Sequence, residues 1–158
     1  MKNILTLVLL ALAVQLPAAE SAKVTGTIVT PKTVEAYAGL KLEIRLYEYH
    51  PFIADKPADL VAKLSLEGCA TQADIPADLV AKLSLEGCAH QAGEVTKSHF
   101  ALAVKIKPGM SYYLTCFALD AKGKRQLMGE KDGKRGLCKV LTGGNPQKVT
   151  LILRDLRK

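Results

Sequence analysis

Apolar and polar residues alternate along much of this chain with a period of two. The clearest run is Leu40 to Tyr49. Leu40, Leu42, Ile44 and Leu46 share one parity, and Lys41, Glu43, Arg45 and Tyr47 share the other. Successive side chains of a strand point to opposite faces, so the run predicts a strand with one face on a core and one in water. Phe100, Leu102, Val104 and Ile106 repeat the pattern before Pro108-Gly109 forces a turn. Tyr112 to Leu119 is apolar on both parities, as a central strand would be. Asp120-Ala121-Lys122-Gly123 reads as a turn that returns Lys124 to Met128 as a hairpin partner. Lys23 to Thr30, stopped by Pro31, predicts a first strand. Leu137 to Leu141 predicts a short edge strand, and Lys148 to Leu153 a last one beyond Gly143-Gly144-Asn145-Pro146. Seven or eight strands separated by turn signals imply an all-β domain, a sandwich or a partly open barrel.

A tandem repeat interrupts this series. Residues 55–73 (DKPADLVAKLSLEGCATQA) and 74–92 (DIPADLVAKLSLEGCAHQA) agree at seventeen of nineteen positions. They differ only at Lys56 against Ile75 and Thr71 against His90. A solenoid needs at least three such units, so two near-identical copies read as a segmental duplication inside one domain. In the first copy Leu60, Ala62, Leu64 and Leu66 alternate with Val61, Lys63, Ser65 and Glu67, which favours a strand; Pro57-Ala58-Asp59 also resembles a helix start. The duplication therefore offers two identical strands. Either they form a new hairpin, or one joins the sheet and the other bulges out.

The N-terminus has a different grammar. Met1-Lys2-Asn3 is short and basic, Ile4 to Leu16 is apolar apart from Thr6 and Gln15, and small residues cluster from Pro17 to Ala22. That order is the pattern of a cleavable export signal. The apolar stretch of 13 residues is too short for a spanning helix, which needs about 20. The expected organisation is a signal helix over residues 1–19, cleaved after Ala19 or close to it, and a single domain over residues 20–158. No transmembrane segment is expected in the mature chain.

Composition adds a direction to the charge. The whole chain carries +7. From Asp120 to Lys158, eleven Lys/Arg stand against four acids. Lys122, Lys124, Arg125, Lys131, Lys134 and Arg135 cluster around turns there, a candidate surface for anionic lipid headgroups or acidic polysaccharide. Lysines at turns and edges also simply block unwanted strand pairing. Nucleic acid is not an expected partner of an exported chain whose basic stretch lacks interleaved aromatics.

Export makes disulfides permissible among Cys69, Cys88, Cys116 and Cys138, with Cys116–Cys138 the leading pair and Cys138 with a repeat cysteine the next. Cys116 as a buried free thiol is the alternative. Cys88-Ala89-His90 with a distant His99 is not a zinc spacing, and no metal or cofactor is expected. No P-loop, G-x-S-x-G or H-E-x-x-H occurs. The carboxylates lie chiefly at outward strand positions or in turns, where a solvated face accounts for them. A Cys–His pair built on His90 or His99 is the enzymatic alternative.

The order VTGTI, LKLEIRLYE, PADLVAKLSLEG, HFALAVKIKPGMSYYLTCFALDAKGKR and KVLTGGNPQKVTLIL resembles a family of small bacterial envelope proteins. These are the YbaY-type lipoproteins, grouped with the pilotin-like chaperones of type III secretion. The resemblance implies an antiparallel immunoglobulin-like or transthyretin-like sandwich and a non-enzymatic role in the cell envelope, with an envelope protein as a further candidate partner. Two features depart from that pattern: the first cysteine is Cys69, so no lipidated cysteine follows the leader, and the duplication is present. The expectation is thus an exported interaction module, periplasmic or secreted and not lipid-anchored; a purely structural envelope domain is the other non-enzymatic reading.

Overall fold

The computed structural model describes residues 20–53, 55–67, 70–74, 81–85 and 89–157. They form ten strands: β1 (Glu20–Thr30), β2 (Lys41–Tyr49), β3 (Asp59–Glu67), β4 (Ala70–Asp74), β5 (Ala81–Leu85), β6 (Thr96–Ile106), β7 (Ser111–Leu119), β8 (Arg125–Lys131), β9 (Cys138–Val140) and β10 (Lys148–Asp155). No helix occurs among the described residues. The expected signal helix lies outside them.

The strands make one continuous sheet in the order β4-β3-β2-β7-β8-β10-β1-β6-β5, with β9 added beside β7. β3 comes close to β5 and β6, so the two ends of the sheet approach each other and the whole is a nearly closed barrel. This corrects the expectation of two packed antiparallel sheets. The sheet is mixed, because β10 lies parallel to β1 with Thr25 opposite Lys148 and Val29 opposite Ile152. After β9 the chain crosses one end of the barrel and inserts its last strand between β8 and β1. Both faces of the sheet cannot be packed on partners by so short a chain, so the sheet buries one face by curling around it.

Alternation decides which face that is. Val24 and Ile28 of β1, Ile44 and Leu46 of β2, Leu64 of β3, Leu102 and Val104 of β6, Leu114 of β7, Leu127 of β8, Val140 of β9 and Leu151 and Leu153 of β10 form one buried cluster. Gly26 is required at its place on β1: the Phe100 ring of the neighbouring strand lies where a Cβ would sit, 2.3 Å from Cε1.

Both repeat copies enter the sheet, towards its opposite ends and not as a hairpin with each other. The first copy supplies β3, which pairs with β2, and most of β4; the second supplies β5, which pairs with β6 at the other end. Ala62 stands opposite Leu46 and Leu64 opposite Ile44, while the equivalent Ala81 stands opposite Leu102 and Leu83 opposite Phe100. The duplicated strands thus stand towards opposite ends of the sheet, β5 as one edge and β3 one strand in from the other edge, β4.

Candidate functional site

Strand directions sort the connections. One end of the barrel carries the start of β1, the β2–β3 connection (50–58), the β6–β7 turn (107–110) and the segment 141–147. The other carries 31–40, 89–95 and the β7–β8 turn (120–124).

The six basic residues read from the sequence do not form one patch. Lys122, Lys124 and Arg125 sit at the β7–β8 turn and the first residue of β8, and Lys131, Lys134 and Arg135 at and beyond its last residue. Seven residues at about 3.3 Å each put the two groups roughly 20 Å apart. Asp120 organises the first group. Its Oδ1 accepts from the backbone N–H of Lys122 and of Lys124, each at 2.9 Å, and its Oδ2 from Gln126 Nε2 at 2.7 Å. The Lys124 bond foremost holds this carboxyl below its ordinary range. Arg125 places its guanidinium 4.0 Å from the centre of the Phe117 ring, a structural use of the charge.

The second group is built differently. Asp132 and Gly133 both have positive φ, 49° and 72°, and Lys134 N–H donates to Lys131 O at 2.9 Å. That is the two-residue hairpin turn that an Asp-Gly pair favours. Asp132 N–H donates to Thr150 O at 3.0 Å, which ties the turn to β10. Lys131, Lys134 and Arg135 then line a cavity of about 270 Å³ with Asp132, Gly136 and Leu137. Leu137 is 61% exposed. Three cations and an apolar side chain therefore stand together on a fixed hairpin tip.

Three carboxylates contradict the expectation of a solvated face. Glu43 points outward from β2 and is still buried, because Arg45 and Lys63 fold over it; Lys63 Nζ lies 3.2 Å from Glu43 Oε2. Glu130 is buried on β8 with Arg154 Nε donating at 2.7 Å. Glu48 shares the inward parity of Leu46 and closes one end of the core. Tyr112 Oη donates to its Oε2 at 2.7 Å, Lys107 Nζ lies 2.8 Å from its Oε1, and the Lys107 backbone N–H donates to Tyr112 Oη at 2.9 Å. The parity of Glu48 was the available signal for its burial.

The cysteine and histidine candidates do not converge. Cys116 and Cys138 are free buried thiols on neighbouring strands, so the expected disulfide is not made. Register places Cys138 opposite Leu114, leaving Cys116 on the diagonal. Burial pushes Cys116 up to about 12 and Cys138 up to about 11, which keeps both as unreactive thiols at neutral pH. Cys69 and Cys88 lie outside the described residues. His99 is exposed on the outer wall, 3.1 Å from Thr27 Oγ1. His90 is a buried staple: Nε2–H donates to Val34 O at 3.2 Å, Nδ1 lies 3.0 Å from Thr96 Oγ1, and the ring stacks on Tyr37. Its backbone also exchanges two hydrogen bonds with Tyr37.

The chain matches no protein-family model and no curated protein. Among solved structures it is similar to an alternative pilotin from the type II secretion system of Vibrio cholerae, at 17% identity and a TM-score of 0.48, over 85% of this chain and 98% of that one.

Proposed function

We propose that this chain is an exported, non-enzymatic interaction module of the cell envelope, which contacts anionic envelope material through the hairpin tip at Lys131, Lys134 and Arg135. The observation that carries the reading is the tip itself: three cations on a turn fixed to β10, beside an exposed Leu137. The basic, apolar and small-residue order of Met1 to Ala22 supports export. Buried thiols at Cys116 and Cys138, set apart from His99, leave the thiol-enzyme alternative without a nucleophile among the described residues.

Each Lys or Arg near an anionic bilayer contributes about 1 kcal/mol, within a Debye length of about 8 Å at physiological salt. Replacing Lys131, Lys134 and Arg135 together by Gln should weaken binding to phosphatidylserine-containing vesicles on the order of a hundredfold. Lys122→Gln with Lys124→Gln, at the other end of β8, should change it far less. Equal losses from both variants, or no sedimentation with anionic vesicles even at low salt, would remove the proposal.

A further inference from the structure

The end of the barrel that carries the start of β1 has an apolar crown. Phe52 is 89% exposed and Ile53 50%, both in the β2–β3 connection, and Leu60 at the start of β3 is 51% exposed. Phe52 borders a groove of about 550 Å³ lined also by Glu20, Ile106, Pro108, Met110 and Gly143, among others. Large apolar side chains gathered at one end of a small chain mark an interaction surface.

One further observation says what covers it, an aromatic group on the outer wall next to the crown. Tyr47 and Tyr113 stack with centroids 5.1 Å apart, and Tyr49 lies 5.8 Å from Tyr113. Tyrosine has an apolar body and a polar tip, and suits the level of lipid headgroups.

We infer that this end of the barrel rests on a phospholipid bilayer, with Phe52 and Ile53 entering the boundary between headgroups and acyl chains and the tyrosines at headgroup level. The inference takes its envelope location from the reading above and is otherwise independent of the basic tip. Apolar insertion survives salt; attraction to anionic headgroups does not.

The chain contains no tryptophan, so a single one reports its own site. Phe52→Trp in the full chain should shift to bluer emission on adding phosphatidylcholine vesicles in high salt, and lipid-borne quenchers should dim it. Val95→Trp, exposed at the opposite end, should do neither. Phe52→Ser with Ile53→Ser should lower partitioning into the same vesicles at least about tenfold. Unchanged emission from position 52, or equal shifts from positions 52 and 95, would overturn the inference. A shift confined to Leu137→Trp and to anionic vesicles at low salt would overturn it while leaving the basic-tip reading standing.

Discussion

Tyr112→Phe tests whether the buried cluster at the end of the core stabilises the barrel. The substitution removes one oxygen from a fully buried side chain and leaves its volume nearly unchanged. Two hydrogen bonds go with that oxygen: the one donated to the Glu48 carboxylate at 2.7 Å and the one accepted from Lys107 N–H at 2.9 Å. A bond to a charged group contributes about 1.5–3 kcal/mol and a neutral one about 0.5–1.5, so the loss should be about 2–4 kcal/mol at neutral pH.

The cluster also makes a prediction in alkali. Burial foremost pushes the Tyr112 phenol up to about 12, against a bond from Lys107 that lowers it; the Glu48 carboxylate adds to the rise. Below pH 10 the phenol is protonated in the folded and unfolded chains alike, and its contribution is complete. Between about 10 and 12 the unfolded chain gives up the proton first, so stability falls, by at most about 2.7 kcal/mol for two units. The variant has no such proton to lose. The buried thiols Cys116 and Cys138 also lose stability in alkali, but equally in both proteins. Urea titrations should therefore show a gap between wild type and Tyr112→Phe that is wide near neutrality and mostly closed by about pH 12. A gap under about 0.5 kcal/mol at neutral pH, or one that does not narrow in alkali, would refute the reasoning.

Two other outcomes follow from the packing. Gly26→Ala places a Cβ against the Phe100 ring and 2.9 Å from Val149 O, and should cost about 1–3 kcal/mol, partly restored by adding Phe100→Leu; identical denaturation midpoints for wild type and Gly26→Ala would contradict it. Deleting residues 55–73 should leave a monomer that unfolds cooperatively, because the remaining copy keeps the His90 staple and its pairing to β6 and carries the same residues that pair with β2; a non-cooperative transition would show that both copies are needed.

Much of the strand inventory was legible from alternation. Leu40 to Tyr49 became β2 (Lys41–Tyr49), Tyr112 to Leu119 became β7 (Ser111–Leu119), flanked by β2 on one side and by β8 and β9 on the other, and the turn at Asp120 returned β8 beside it. Partnership was not legible. A period of two says which residues share a face, and nothing about β10 lying parallel to a strand more than a hundred residues earlier. The burial of Glu43 depends on the reach of Lys63 from another strand, which no local pattern records. The basic residues looked like one cluster because they are close in sequence. An extended strand between them turned that proximity into separation. The Asp132-Gly133 turn, by contrast, is written plainly in its Asp-Gly pair.

The seam has a consequence for how such a chain can change. A closed barrel accepts no additional strand without breaking an existing pair. Here copies of one sequence flank the seam, β3 paired to β2 and β5 paired to β6, with the short β4 outside β3. Whole units can therefore be gained or lost at this place in a single genetic event. While two are present, a damaging substitution in one leaves an intact template in the other. If one copy suffices for cooperative folding, the duplication is a region where selection can experiment without first dismantling the core.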